Sequence, residues 1–250
     1  MKIAIVSDIH ANLAALQAFP ESDYDQLWCV GDLVDYGPRP REVIHEIQSR
    51  AAVVVSGNHD YAAGFSADPR CSAPFRRLAA ETLRYTQEVC SDEHVLFLRN
   101  LPQFREITIR GTRFYVVHAT PSDPLFAYSP EGSERWTREV ELIEADVLMV
   151  GHTHTPFVRV VGNTTIVNPG SLGQPKTGRP LACYAVWEDG VVSLKEYEYP
   201  IAETIRDIRG MPITEADQDV LISVLKTGML PAKRTGSSRL APEATVRSDP

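Results

Sequence analysis

Three apolar runs near the start of the chain each break off into a polar turn. "KIAIVSDIH" ends at Asp8 and His10, "DQLWCVGDLVD" at Asp32 and Asp35, and "AAVVVSGNHD" at Asn58, His59 and Asp60. Between them lie "ANLAALQAF", with helical spacing, and "PREVIHEIQSR", opened by Pro40, a residue favoured in the first helical turn. Strands alternating with helices imply a parallel sheet with helices packed on it. In such sheets ligands bind beyond the carboxyl ends of the strands. The three polar turns are therefore expected at one edge. Val53 to Val55 read as a strand buried on both faces.

The rhythm breaks over residues 61–104. "APFRRLAAETLRYTQEV" and "DEHVLFLRNL" are helical, with Asp92 as the expected cap, and form a helical insert beside the sheet. Placed directly after the third polar turn, the insert is expected to wall the pocket. Strands dominate afterwards. "REITIR" and "TRFYVVHA" flank Gly111 and Thr112 as a hairpin, and "ADVLMVGH", "FVRVVG", "TTIVNPG", "ACYAVWED" and "VVSLKEYEY" follow. The expected fold is an α/β (α+β) sandwich of two mixed sheets packed face to face, flanked by helices. Residues 1–200 form its domain. Residues 201–250 are a C-terminal extension: one helix, "TEADQDVLISVLKTG", capped by Thr214, then a disordered tail from Pro231 rich in Pro, Ser, Thr and charge.

Two later strands add to the polar set. "FYVV" runs into His118, and "VLMV" into His152 and His154. Five of the seven histidines thus follow strands, while His45 and His94 fall in helical stretches and read as surface residues. Residues two apart in an extended segment project to one side. Asp8 with His10, and His152 with His154, can then serve one centre or neighbouring centres. Any one such Asp or His is an ordinary turn or core residue; five strand ends carrying them in one order read as a metal site. Carboxylate, imidazole and amide without thiolate suit Mn²⁺, Fe²⁺, Zn²⁺ or Co²⁺. Seven candidate ligands exceed the shell of one ion and fit two ions sharing a carboxylate, about 3.5–4 Å apart.

The ordered set "DIH", "GDLVD", "GNHD", a lone His after "YVV", and "GHTH" resembles the calcineurin-like metallophosphoesterase superfamily. "GDLVDYGPRP" and "NPGSLGQP" resemble its small bacterial and archaeal phosphodiesterase-like branch. The resemblance runs from Met1 to about Tyr199. It implies that Asp8, His10 and His154 bind one ion, that Asn58, His118 and His152 bind a second, and that Asp32 bridges them. It implies that His59 contacts the phosphate and protonates the leaving group, and that Asp35 orients His59. The implied activity is hydrolysis of a small phosphate ester or nucleotide by a hydroxide shared between two divalent ions. Mn²⁺ is the expected ion, with Fe, Zn, Co and Ni as alternatives. The superfamily also contains a retromer subunit that keeps the fold as a protein-binding scaffold, and a nucleotide-binding regulator is a third reading. An intact His59 favours an enzyme.

Weaker features surround this set. Asp60 reads as a turn or supporting residue. Asn12 caps the first helix or contacts phosphate. Tyr36 and Arg39 are candidate substrate contacts, a surface salt bridge being the alternative for Arg39. The glycine-rich "NPGSLGQP" is expected to close over the site. The formal net charge of −8 argues against long duplex nucleic acid as substrate. No run of 18 apolar residues suggests a membrane span, and "MKIAIVSD" is too short for a secretory signal. Cys29, Cys71, Cys90 and Cys183 show no paired spacing and read as reduced thiols in the cytoplasm, with Cys29 and Cys183 in the core.

Overall fold

A computed structural model describes residues 1–73 and 75–229. In chain order the elements are β1 (Lys2–Val6), α1 (Leu13–Gln17), β2 (Gln26–Cys29), α2 (Pro40–Arg50), β3 (Ala51–Val54), α3 (Asn58–Phe65), α4 (Arg76–Val89) and α5 (Asp92–Asn100). Then come β4 (Phe104–Ile109), β5 (Thr112–Val117), α6 (Arg135–Val140), β6 (Val147–Met149), β7 (Phe157–Val161) and β8 (Thr164–Asn168). The last four are β9 (Ala182–Glu188), β10 (Val191–Tyr197), α7 (Ile201–Arg209) and α8 (Glu215–Thr227). Two five-stranded sheets result, ordered β10-β9-β1-β2-β3 and β4-β5-β6-β8-β7. Both are mixed. β1, β2 and β3 are parallel, as are β5, β6 and β8, while β9, β10, β4 and β7 pair antiparallel. The β4–β5 hairpin turns on Arg110 and Gly111, with φ of 49° and 86°. Two successive positive φ values match the right-handed twist of the strands they join.

The sheets pack face to face over Ile3, Ile5, Trp28, Val30, Phe114, Val116, Met149 and Trp187. Trp28 and Trp187 each meet the Phe114 ring edge-on, at 5.2 and 5.1 Å between centroids. Fully burying one such side chain contributes about 1.5–3 kcal/mol. The alternate residues Ala4 and Val6 of β1 face outward, where Leu16 of α1 and Val43, Ile44 and Ile47 of α2 cover them. With both faces covered, the strand is apolar throughout. The second sheet packs Tyr115, Val117 and Leu148 against Trp136 of α6. β3 departs from expectation. It lies at the edge of its sheet, with only β2 beside it, and Val53 and Val54 are half-buried.

Helix ends follow local chemistry. Pro40 opens α2, and Thr214 caps α8 by accepting the Asp217 N–H at 3.2 Å. The cap of α5 is Ser91, not Asp92. The Ser91 hydroxyl meets the His94 ring at 2.7 Å, and Asp92 stands in the first turn, where a carboxylate suits the helix dipole. The extension holds two helices where one was expected. α7 and α8 share an apolar cluster with α4 through Ile208, Leu221, Ile222, Leu225 and Leu78, and Tyr36 joins it. Arg77 of α4 forks the buried Asp217 carboxylate at 2.6 and 2.5 Å. The expected disordered tail from Pro231 lies outside the described residues. No helix among the described residues is long and apolar enough to cross a membrane.

Candidate metal centre

Strands β1, β2, β3, β5 and β6 all deliver polar residues to one edge of the sandwich. The turns that do so are not extended. Asp8, His10, Ala11, Asp32, Asp35, Tyr36, His152 and His154 have φ between 46° and 66°, eight of the twelve non-glycine residues with positive φ among the described residues. Left-handed backbone costs about 1–2 kcal/mol per residue, least for Asp and Asn. Strain concentrated at one place marks a site that the surrounding fold over-determines. The i, i+2 pairs therefore converge through kinked turns rather than through strand pleat.

Two clusters form. Asp8, His10, Asp32 and His154 place one potential ligand atom each within 4.8 Å of one another, and so do Asp32, His118 and His152. Asp32 belongs to both. Its Oδ2 lies 3.7 Å from His10 Nε2 and 3.3 Å from His118 Nε2, while its Oδ1 accepts the His59 backbone N–H at 2.9 Å. His154 Nε2 is 3.2 Å from Asp8 Oδ1. His152 and His154 thus serve neighbouring clusters.

The donor set fits divalent cations. His10, His118 and His154 each direct Nδ1 at a backbone carbonyl, of Val34 at 2.9 Å, Val30 at 2.7 Å and Gln174 at 2.6 Å. A proton on Nδ1 leaves the Nε2 lone pair facing inward, the arrangement of metal-ligating histidines. His10 Nε2 and His154 Nε2 then face each other as lone pairs 3.2 Å apart, which a cation between them relieves. Asp8 Oδ1, Asn58 Oδ1 and His118 Nε2 are buried without a hydrogen-bond partner. The Asn58 amide is oriented by its Nδ2, which donates to Pro69 O at 2.7 Å, so Oδ1 is the free end.

Electrostatics agree. Burial disfavours a charged His118, yet the Asp32 and Asp8 carboxylates hold its imidazole up to about 9. Burial and the Asp32 charge push Asp60 up to about 7, although its carboxylate accepts the N–H groups of Asp32, Leu33 and Gly57 at 2.8–3.0 Å. Asp60 is thus a clamp that ties the turn after β2 to the start of α3. A buried excess of negative charge draws positive charge into the centre.

His59 stands beside both clusters. Its Nδ1 meets Asp35 Oδ2 at 2.8 Å, and Asp35 Oδ1 accepts the Thr86 hydroxyl at 2.7 Å. Its Nε2 faces Cys71 Sγ at 3.4 Å. Burial opposes the imidazolium, but Asp32, Cys71 and the Asp35 bond outweigh it and raise His59 well above its ordinary value. The Tyr36 ring packs against His10 and His59, 4.8 Å from each, and its hydroxyl reaches Cys71 Sγ at 3.4 Å.

Two candidate substrate contacts lie elsewhere. Asn12 caps α1, accepting the Ala15 N–H at 3.2 Å and the Thr204 hydroxyl at 2.8 Å on Oδ1. Its Nδ2 donates to Gly173 O and Tyr199 OH, both at 3.0 Å, so both ends of the amide are engaged within the fold. Arg39 forms a surface salt bridge to Asp207 at 2.8 Å and to Glu42 at 3.3 Å. The glycine-rich loop is buried scaffold rather than a lid. Leu172 N and Gly173 N donate to Ser7 O and Asp8 O, and the Ser171 hydroxyl also donates to Asp8 O. A cavity of about 710 Å³ opens over Asp32, Asn58, His59, His152 and His154. Its outer wall includes Arg70, Cys71, Tyr128 and Lys176, none of which the sequence pattern marked. Lys176 follows the glycine-rich loop directly, the one available signal.

Residues 1–189 match the calcineurin-like phosphoesterase superfamily domain. The chain belongs to that superfamily. It is 31% identical over 229 residues to an uncharacterised protein of Methanocaldococcus jannaschii, covering 82% of this chain and 91% of that one. It is 26% identical over 208 residues to the Escherichia coli phosphodiesterase YfcE, covering 78% of this chain and 91% of that one. Among solved structures, a metallophosphoesterase from Sphaerobacter thermophilus superposes with a TM-score of 0.77 at 31% identity, covering 92% of this chain and all of the other. The chain is a metal-dependent phosphoesterase, a hydrolase of the small bacterial and archaeal branch.

Proposed function

We propose that the chain hydrolyses small phosphate esters, nucleotides among them, with His59 as general acid. One divalent ion is held by Asp8, His10 and His154 and a second by Asn58, His118 and His152, with Asp32 shared. The observation that carries this reading is His59, whose ring is fixed by Asp35 at 2.8 Å in the cavity wall that also holds Asp32, Asn58, His152 and His154. When bound, the ions supply Lewis acidity to the phosphoryl oxygens and acidify a water. Donors of oxygen and imidazole nitrogen without thiolate suit Mn²⁺, the ion expected, and equally Fe²⁺, Zn²⁺ and Co²⁺. Asp35 keeps a proton on His59 Nδ1, and Thr86 holds Asp35 in place. His59 Nε2 then presents its proton to the cavity, where the departing ester oxygen takes it. Tyr36 packs the ring so that it cannot turn away. The relative named a phosphodiesterase supports ester hydrolysis. The reacting domain is residues 1–200 with its insert at 61–104, and the extension braces Tyr36 through α7 and α8. All four cysteines are free thiols, in keeping with a cytoplasmic location.

The test exploits the leaving group. His59→Gln should keep both ions, because Asn58 is the neighbouring ligand. A general acid contributes about 10²–10⁴-fold, and only when the departing oxygen needs a proton. With an alkyl or sugar leaving group the loss should fall in that range. With p-nitrophenolate it should be far smaller, and Asp35→Asn should follow the same pattern in milder form. Equal losses on both leaving groups would rule out proton donation.

A further inference from the structure

We propose that Lys176 and Arg70 form a second phosphate site at the mouth of the cavity, which selects substrates carrying a phosphoanhydride chain over simple phosphate esters. The proposal rests on the phosphoesterase reading and adds the substrate class. A cavity of about 710 Å³ is far larger than one phosphoryl group needs, and both Lys176 and Arg70 line it.

Lys176 is held in place by its approach. The preceding loop is pinned by Leu172 and Gly173 to the carbonyls of Ser7 and Asp8, and the ammonium lies over the Phe75 ring at 4.8 Å. An aromatic face meets one side of an ammonium and leaves the N–H donors on its other side without an oxygen acceptor. Among the described residues, Lys176 has no hydrogen-bonded or ion-paired acceptor, whereas Lys2 and Lys195 both bind carboxylates. Burial lowers the Lys176 pKa, while Asp8 and Asp32 work to keep it charged.

Arg70 completes the site. Its backbone is left-handed at φ 54° and its N–H is tied to Asp68 at 2.7 Å. The guanidinium stacks on the Phe126 ring at 4.3 Å and has no carboxylate partner among the described residues. Its planar fork matches a phosphate. In a chain with 33 acidic and 25 basic residues, two cations that line one cavity and pair with no carboxylate among the described residues are free to meet an anion that arrives. Tyr128, 60% exposed at the same mouth, offers a flat face to a base. The substrate class is therefore a nucleoside di- or polyphosphate, single or double-ended. Hydrolysis breaks one P–O bond of the anhydride. The water oxygen bonds to the attacked phosphorus, the other phosphate leaves with the bridging oxygen, and the water proton passes to it or to solvent.

AMP and ADP differ by one phosphate and make the test. Titration calorimetry on the Mn²⁺-loaded protein, with the methylene-bridged analogue of ADP and the phosphonate analogue of AMP so that neither turns over, should show the ADP form binding at least tenfold tighter than the AMP form. Lys176→Met should bring that ratio close to one, Lys176→Arg should retain most of it, and Arg70→Gln should fall between. Arg70 is exposed, so that variant tests the site even if Lys176→Met folds poorly. The ratio of kcat/KM for ADP to that for bis(p-nitrophenyl) phosphate should fall in the same order. An ADP-to-AMP ratio that none of the variants changes overturns the proposal, and so does an equal loss on both substrates. If the wild type cleaves neither compound, the phosphoesterase reading is what fails, and the calorimetric ratio alone decides the second site.

Discussion

Replacing Gly57 by Ala tests how tightly the shared carboxylate is held. Gly57 has φ −89° and ψ 175°, extended backbone that any residue adopts, so alanine brings no backbone strain. The difficulty is space. An added Cβ would lie 2.0 Å from Asp32 Oδ1, 2.4 Å from Asp32 N and 2.7 Å from Asp32 Cγ. Ordinary van der Waals contact begins at 3.4 Å, so the carboxylate must retreat by more than 1 Å and, because Asp32 N is met as well, the turn must open. Metal–ligand distances tolerate about 0.2 Å. The same retreat breaks the bond from the His59 N–H to Asp32 Oδ1, now 2.9 Å. A misplacement of about 1 Å costs about 10²-fold in rate. Overpacking of this kind costs about 1–3 kcal/mol, and each kcal/mol lowers Tm by about 2–4 °C in a chain of this size. Gly57→Ala should therefore lose at least 100-fold in kcat/KM, bind fewer than two ions by elemental analysis, and still fold. Gly132→Ala, with no atom near its added Cβ, is the control. A Gly57→Ala protein that keeps two ions and near-normal turnover would refute the close approach on which the centre depends.

Two further outcomes are expected away from that contact. Burial works against an ionised Glu21, but its bonds from Lys195, Lys2 and Tyr184, at 2.5, 2.8 and 3.0 Å, lower it from 4.5 to about 2. Its contribution is thus fully present above pH 4.5 and lost as pH falls through 2. Urea melts of Glu21→Gln should show a deficit of about 1–3 kcal/mol at pH 7 that closes between pH 4.5 and 2; a deficit constant to pH 2 would contradict this. Cys71 Sγ lies 3.4 Å from His59 Nε2 in the cavity wall. Iodoacetamide should inactivate the wild type with AMP protecting, and Cys71→Ser should resist; full activity after stoichiometric labelling of Cys71 would show that the thiol points away from the reacting space.

Legibility in the sequence divides along physical lines. Asp8, His10, Asp32, Asn58, His118, His152 and His154 were visible as candidates because each lies within five residues of the end of an apolar run, and strand ends in a parallel sheet share an edge. Pro40 and Thr214 were visible because helix starts are decided by one residue's chemistry. Burial depth was not. Val53 to Val55 look like a central strand, but only the pairing order shows that β3 is an edge. The left-handed turns at Asp8, His10, His152 and His154 were hidden because non-glycine residues rarely adopt them. The cap at Ser91 rather than Asp92 was not legible because both residue types cap helices, and only the His94 bond separates them. α7 was legible and overlooked: "IAETIRDIR" places Ile201, Ile205 and Ile208 at i, i+4 and i+7, the spacing of an amphipathic helix, in a segment of only nine residues. Arg70, Cys71 and Lys176 meet only in three dimensions, across about a hundred residues of chain.

The central claim is that two cations share the Asp32 carboxylate, and counting them is its most direct test. The wild type and Asp32→Ala, each reconstituted with Mn²⁺ and freed of excess ion, should be measured by elemental analysis alongside a melting curve that shows both are folded. The account predicts close to two ions per chain in the wild type and close to none in Asp32→Ala. A wild type that holds one ion or none, or an Asp32→Ala protein that still holds two, would contradict it.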